Sequence, residues 1–167
     1  MSTLFTYIEQ AKQPLKLSNF TIADAMIFSQ LSYLDFSTYR NKTKLKHMRR
    51  NVNFLVMHSR LPEQNRKLFE LVAASPRFGN IKMSHFVQDT NLSIKKQFSA
   101  TTFLIGFLAM FVAYRGTAGT MVGWEEDFNL AFMDEIPAQS AARAYLEQVM
   151  HRYFLTKTLI GGHSKGG

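Results

Sequence analysis

The stretch that decides how this chain is interpreted is Lys157-Thr158-Leu159-Ile160-Gly161-Gly162-His163-Ser164-Lys165-Gly166-Gly167. Its first five residues are mostly apolar, as in a short buried parallel strand, and the residues that follow match G-x-S-x-G. In that motif a serine occupies a sharp turn between a strand and a helix, where only residues as small as glycine fit. The pattern predicts Ser164 as a candidate nucleophile, with the turn permitted by Gly162, Gly166 and Gly167.

The segments before the motif predict a strand, a helix and a second strand. Strand-forming residues dominate over 97–114, where Gly106 marks a hairpin turn or a bulge. Residues 139–154 have apolar side chains at helical spacing on one face. This order is typical of an α/β sheet built on right-handed crossovers.

The N-terminal region is predicted to be mainly helical. Helical spacing of apolar residues, Thr21 as an N-cap and Pro62 in a first turn indicate helices. The predicted segments are 2–11, 22–34, a helix from Pro62 to the break at Ser75-Pro76, and one further helical turn at 82–88. Residues 53–57 stay unassigned. We expect one domain over 1–167, mainly helical over 1–90, with the start of the sheet over 91–167.

A second element, Tyr114-Arg115-Gly116-Thr117, follows the first strong strand. Acyl transfer needs backbone N–H donors for the tetrahedral oxyanion, one from the residue after the nucleophile and one from a loop after an earlier strand. Thr117 and Lys165 are placed to supply these two donors. The alternative is an ordinary turn at the end of a strand.

Composition limits the chemistry further. The chain has no cysteine, which excludes disulfides and thiolate chemistry, and its 46% hydrophobic content suffices for a real core. The start lacks the features of a signal peptide, and the most apolar run, residues 103–114, is too short to span a bilayer. We therefore expect a cytoplasmic protein. Without a His-Glu-x-x-His pattern or a dinucleotide fingerprint, neither a metal nor an organic cofactor is expected.

The net charge of +8 is unevenly distributed. A basic segment without any acid between Asp35 and Glu63 contains Arg40, Lys42, Lys44, Lys46, Arg49 and Arg50. Such a segment either contacts an anionic surface such as a membrane, or is a solvated helix face or loop. No motif that reads RNA or DNA accompanies it, so no nucleic-acid partner is expected.

Several segments together resemble a known family. They are Gln30-Leu31-Ser32-Tyr33-Leu34-Asp35-Phe36, Arg77-Phe78-Gly79-Asn80, Gln97-Phe98-Ser99-Ala100, Tyr114-Arg115-Gly116-Thr117, Trp124-Glu125-Glu126-Asp127-Phe128, Pro137-Ala138-Gln139 and the motif at Ser164. The chain resembles the bacterial lipase-like α/β-hydrolases first catalogued as a domain of unknown function, which are distantly similar to class 3 lipases. Ala118-Gly119 depart from the acidic residues that this family often has there.

The resemblance implies a serine carboxylic-ester hydrolase acting on acylglycerol or phospholipid esters, with Ser164 as nucleophile and the amides of Thr117 and Lys165 as oxyanion hole. The family pattern continues past Gly167 into a helix, further strands, an Asp and a His. In this fold the acid and the histidine follow the serine, and the upstream histidines are not expected to replace them. We therefore expect the N-terminal portion of an α/β-hydrolase fold without its C-terminal sheet and helices, inactive or weakly active by itself.

A second hypothesis belongs to a different class of function. The chain could be a non-catalytic interaction module that completes its sheet on another polypeptide, or that binds an anionic surface through the basic segment. The elbow strand at 157–161 would then present an unpaired edge, through which the chain could also self-associate.

Overall fold

The computed structural model describes residues 3–91, 93, 96–116, 137–154 and 157–163. The α-helices within these ranges are α1 (Leu4–Gln10), α2 (Ile22–Leu31), α3 (Leu45–Met48), α4 (Val52–Val56), α5 (Pro62–Ala74) and α6 (Pro137–Arg152). The strands are β1 (Thr43–Lys44), β2 (Lys82–Asn91), β3 (Lys96–Ile105), β4 (Ala109–Tyr114) and β5 (Lys157–Gly162). Short 3₁₀ turns lie at Leu17–Asn19 and Arg49–Asn51.

The five strands form one sheet in the order β1-β2-β3-β4-β5. Neighbours from β1 to β4 are antiparallel, whereas β4 and β5 are parallel. Because α6 lies between β4 and β5 in the chain, the predicted strand, helix and second strand are confirmed, and the protein is of the mixed α/β class.

The hairpin between β3 and β4 turns at Gly106, as predicted. This residue has a φ of 65°, a conformation that glycine adopts without steric cost. The turn brings Ile105 opposite Ala109, so that β3 and β4 pair over their full common length. The strands β1 to β4 are therefore continuously antiparallel, and β4 is the strand that also pairs with β5.

Helices cover both faces of the sheet. The larger apolar cluster unites residues of α1 to α5 with alternate residues of the strands, including the fully buried Phe103 and Phe111. The smaller cluster lies on the opposite face, where Tyr145 and Val149 of α6 pack against Met110 of β4. Neighbouring strand residues point to opposite faces, which is why Met110 and Phe111 belong to different clusters.

Helix α2 begins as its sequence predicts. The Thr21 hydroxyl accepts a hydrogen bond from the Asp24 amide, and the Asp24 carboxylate accepts one from the Thr21 amide at 2.8 Å. This reciprocal capping box satisfies two amides that the first helical turn leaves without intrahelical partners. The helices predicted at 2–11, 22–34 and from Pro62 are confirmed as α1, α2 and α5.

A buried ion pair anchors the capping box of α2. The Arg77 guanidinium donates hydrogen bonds to both carboxylate oxygens of Asp24, at 2.8 and 2.7 Å. Burial alone would raise the pKa of Asp24, but the hydrogen bonds from Arg77 and Thr21 outweigh it and lower that pKa. Arg77 also donates to the carbonyls of Gln13 and Asn19, so one side chain connects three N-terminal segments.

The helical turn predicted at residues 82–88 is wrong, because these residues belong to β2. The register of β2 against β3 shifts between Ser84 and Phe86, and His85 in this bulge has a φ of 56°. A bulge interrupts the alternation of buried and exposed side chains by which a strand is recognised in sequence. The sheet therefore begins upstream of residue 91. The unassigned residues 53–57 largely form α4.

Candidate active site

The candidate active site lies where β4 and β5 end side by side. Tyr114 and Gly162 are parallel partners at the ends of these strands, and the His163 amide continues the pairing with a 3.3 Å hydrogen bond to the Tyr114 carbonyl. The carboxyl ends of parallel strands are where open α/β sheets place their ligand sites. The segments that continue to Thr117 and to Ser164 therefore leave the sheet as neighbours.

Gly161 allows β5 to approach β4 and α2 closely. A Cβ atom at this position would lie 2.6 Å from Cζ of Phe111 and 3.3 Å from Oγ of Ser29. Contacts of that length with a ring in the core cannot form without displacement. The first glycine of the Gly161-Gly162 pair thus permits the close packing of β5 against Phe111 of β4 and Ser29 of α2.

His163, the neighbour of Ser164, is held by a tyrosine from the region after α2. The Tyr33 hydroxyl lies 2.8 Å from Nδ1 of His163, and the two rings meet edge to face with centroids 5.4 Å apart. His163 is otherwise exposed. The Nδ1 atom of His163 is thus engaged in a hydrogen bond within the chain.

The Tyr33 hydroxyl also lies within the electrostatic influence of the loop after β4. Burial raises the pKa of Tyr33, while the charges of Arg115 and Arg60 and the amide of Gly116 act in the opposite direction. Burial also lowers the pKa of Arg115, with Tyr33 and Asp35 opposing that shift. Tyr33 is therefore close to both segments that leave the sheet, one through Gly116 and the other through His163.

A small cavity of about 240 Å³ opens beside this contact. Its lining combines one apolar side chain with polar and charged ones, namely Gln30, Tyr33, Arg60, Leu61, Asn65 and His163. The Gln30 amide donates a 2.8 Å hydrogen bond to Oδ1 of Asn65, which fixes one wall between α2 and α5. The cavity can accept a small polar group next to the elbow strand.

Of the residues predicted for the site, Gly162 lies at the end of β5 as expected. Ser164, Lys165, Gly166, Gly167 and Thr117 lie outside the described residues. Their chain neighbours, His163 and Gly116, are the residues that Tyr33 approaches.

The other histidines do not line the cavity beside His163. His47, His58 and His151 are exposed, and the His85 ring packs edge to face against Tyr145 on the α6 side of the sheet. Within the described ranges, no group of three or more His, Asp or Glu side chains could hold a metal ion.

The basic segment is divided by the fold. Lys42 and Lys44 line a cavity at the opposite end of the sheet, whereas Lys46, Arg49 and Arg50 lie exposed on α3 and the 3₁₀ turn after it. Arg40 is also exposed. The six charges thus do not form one uniform helix face.

Sequence reasoning assigned no role to the residues that surround His163. Tyr33 belongs to a segment that carries the family resemblance, which was the available signal for its importance. Arg60 and Asn65 carry no such signal, because their position beside Tyr33 arises only from the packing of α5 against α2.

These features define a mixed α/β protein with a candidate site at the carboxyl ends of parallel strands. A family model described as Mbeg1-like matches residues 72–167, which is more than half of the chain, so the chain belongs to the Mbeg1-like family. No curated protein and no solved structure matches the chain. Across the described ranges, no helix has the length and apolar character needed to cross a membrane.

Proposed function

We propose that this chain carries the nucleophile of a lipase-like serine carboxylic-ester hydrolase with an α/β-hydrolase fold. The observation that supports it best is the parallel pairing of β4 and β5, with α6 between them in the chain and G-x-S-x-G beginning at Gly162, the last residue of β5. The elbow requires a strand directly before its serine, and β5 is such a strand. Membership of the Mbeg1-like family and the resemblance of the N-terminal segments support the same assignment.

In the proposed reaction, Oγ of Ser164 attacks the carbonyl carbon of an ester and forms a tetrahedral intermediate. The backbone amides of Thr117 and Lys165 stabilise its oxyanion. Collapse of the intermediate breaks the bond to the alcohol, which leaves with a proton, and water then hydrolyses the acyl-serine. The proposed substrates are acylglycerol or phospholipid esters, as the resemblance implies.

The proton of the serine requires a general base, which in this fold follows the nucleophile along the chain. An oxyanion hole without a complete triad still gives about 10³–10⁴-fold acceleration over water. We therefore propose a selectively reactive serine, with turnover depending on a general base that the upstream histidines are not expected to supply.

Slow labelling with an alkyl fluorophosphonate tests this proposal. The chain is incubated for hours with excess reagent, and intact mass and peptide mapping locate the modified serine. We expect Ser164 to react faster than the other serines and Ser164→Ala to abolish that product. Ser37→Ala, at an exposed serine, is the matched control and leaves it unchanged. If Ser164 is labelled no faster than Ser37, the proposal of a selectively reactive Ser164 is contradicted.

One observation favours the second candidate, an interaction module. Among the described residues β5 is the last strand of the sheet, and its Ile160 side chain is 55% exposed. The proposed partner is another polypeptide or a second copy pairing along β5. Light scattering after size exclusion tests this: Ile160→Lys should dissociate the assembly, whereas Met57→Lys, at a side chain 56% exposed, should not. A monomer at all concentrations contradicts self-association.

A further inference from the structure

The end of the sheet opposite the candidate active site carries a row of lysines. Lys44 pairs with Lys82 across β1 and β2, and Lys82 pairs with Leu104 of β3. At the same end, Lys157 begins β5 opposite Ala109, the first residue of β4. β4 has six residues, so this end lies roughly 17–20 Å from the strand ends that lead to Thr117 and Ser164.

A cavity of about 440 Å³ opens among these lysines. Lys42, Lys44 and Lys82 supply three ammonium groups, and Asn80 adds a neutral polar side chain. The apolar part of the wall comes from Phe107 of the β3–β4 hairpin and from Tyr153 after α6. A cavity lined by both cationic and aromatic side chains suits an anion that is attached to an apolar body.

No acidic side chain among the described residues forms an ion pair with these lysines. In the part of the chain that the structure describes, the ion pairs are Arg66 with Glu63 and Arg77 with Asp24, and neither includes a cavity lysine. The chain also contains no acid between Asp35 and Glu63. Within the part of the chain that the structure describes, the three ammonium charges can therefore attract an anionic ligand.

The backbone fixes Lys42 at the cavity. Its amide donates a 2.7 Å hydrogen bond to the Met83 carbonyl, and its φ of 69° is uncommon for a residue with a side chain. Its Nζ lies 5.9 Å from the centroid of the Tyr153 ring. The position of this charge is thus set by the turn before β1 and by an aromatic wall.

Large apolar side chains project into solvent next to the lysines. Phe107 and Leu108, at the tip of the β3–β4 hairpin, are 93% and 72% exposed, and Phe154 beside Tyr153 is 78% exposed. The Lys157 amide donates a 2.8 Å hydrogen bond to the Leu108 carbonyl, so the tip is held against the start of β5. Exposure of such side chains to water is unfavourable, and their transfer into an apolar phase lowers the free energy.

We propose that this end of the molecule docks on a bilayer that contains anionic phospholipid. The headgroup phosphates bind among Lys42, Lys44 and Lys82, while Phe107, Leu108 and Phe154 enter the interface between headgroups and acyl chains. Cationic groups beside exposed aromatic and aliphatic side chains are the combination that holds proteins at anionic membrane surfaces. This docking does not depend on the proposed hydrolase activity.

Nucleic acid is the other common polyanion, but binding to it would account for the lysines and not for the exposed apolar side chains. Phosphate contacts would use the lysines, whereas Phe107, Leu108 and Phe154 form an apolar projection that a bilayer can bury. Binding to vesicles and binding to RNA therefore separate the two partners experimentally.

Cosedimentation of the 167-residue chain with vesicles tests the proposal. Vesicles of phosphatidylcholine are compared with vesicles containing about a third phosphatidylglycerol, at about 50 and 200 mM salt. We expect binding to the anionic vesicles only, weakened by salt. The cavity variant Lys42→Gln/Lys44→Gln/Lys82→Gln should lose about 100-fold in affinity, at about fivefold for each lysine. Phe107→Ser should lose about tenfold.

Matched control variants distinguish binding through this surface from general effects of net charge and of exposed apolar side chains. Lys46→Gln/Arg49→Gln/Arg50→Gln removes the same charge from outside the cavity, and Met57→Ser removes an exposed apolar side chain elsewhere. Both should bind within about fivefold of the parent, with all variants confirmed as folded by circular dichroism. Equal losses in the two charge variants, no binding at low salt, or tighter binding to single-stranded RNA than to anionic vesicles would each overturn the proposal.

Discussion

The Tyr33 hydroxyl lies 2.8 Å from Nδ1 of His163 and connects the region after α2 to the residue that follows β5. The same hydroxyl is influenced by the Gly116 amide and the Arg115 charge in the loop after β4. We infer that Tyr33 sets the direction in which both segments leave the sheet. The proposed nucleophile and one proposed oxyanion donor lie immediately beyond these contacts in the chain.

Replacing Tyr33 by phenylalanine tests this positioning role. The ring is retained and one hydrogen bond to His163 is lost, so we expect the free energy of unfolding to fall by only ~0.5–1 kcal/mol. Fluorophosphonate labelling of Ser164 should nevertheless slow by about tenfold, because misplacement of reacting groups is costly. Tyr39→Phe, which removes a hydroxyl bonded to the Met48 carbonyl, is the control. If both variants label Ser164 at the parental rate, Tyr33 has no positioning role.

Arg77→Met should strongly destabilise the fold. The substitution leaves the fully buried Asp24 carboxylate without its ion-pair partner, and we expect urea unfolding to show a loss of ~3–5 kcal/mol. Arg66→Met removes an exposed ion pair with Glu63 and should cost less than ~1 kcal/mol. The double variant Asp24→Leu/Arg77→Met should recover part of the loss. A similar cost for Arg77→Met and Arg66→Met would disprove the anchoring role.

His85 should make stability fall in mild acid. Burial of the ring, helped by the charge of Arg152, lowers the pKa of His85 below its ordinary value of about 6.5. As the pH falls through 6.5 the unfolded chain binds a proton before the folded one does, so stability decreases until the pH passes the folded-state pKa. Denaturant unfolding at pH 7.5 and 5.5 measures the difference.

The matched variants at this position are His85→Asn and His47→Asn. Asparagine tolerates the positive φ of residue 85, so His85→Asn should reduce the difference in stability between the two pH values. His47 is exposed, and its replacement should leave the difference unchanged. An undiminished pH response in His85→Asn would assign the effect to other groups.

Gly161→Ala should destabilise β5. The new methyl group would meet the Phe111 ring at 2.6 Å, and we expect a loss of ~1–3 kcal/mol in the free energy of unfolding. Gly161→Ala should cost less stability in a Phe111→Leu background than in the parent, because the smaller leucine side chain leaves room for the methyl group. Additive losses in this double-mutant cycle would show that the close approach is not the cause.

The sequence predicts an element correctly where its local signals, such as a turn glycine or a helix cap, agree with the contacts that the element makes in the fold. Gly106 was recognisable because a tight turn needs its conformation, and α2 because Thr21 and Asp24 cap it within one turn. β2 was missed because its bulge at His85 disturbs the two-residue period that indicates a strand. Its strand conformation depends on pairing with β3, which lies later in the chain.

The candidate site was predictable only in part for a related reason. The G-x-S-x-G motif is local, so the elbow strand and its candidate nucleophile follow from adjacent residues. The partners that connect distant segments do not, since Tyr33 reaches His163 and Arg77 reaches Asp24 through packing of elements far apart in the sequence. Local periodicity contains no information on such pairs.

The different connections on either side of β4 have a kinetic consequence. β4 meets β3 across one tight turn at Gly106, whereas it meets β5 only after the long connection that contains α6. Closing a long loop costs more chain entropy than closing a hairpin, and contacts between distant residues slow folding. We therefore expect β5 to join the sheet late, with its amides becoming protected from hydrogen exchange later during refolding than those of β3. The segment that leads to Ser164 would then be ordered only when the rest of the domain has already folded.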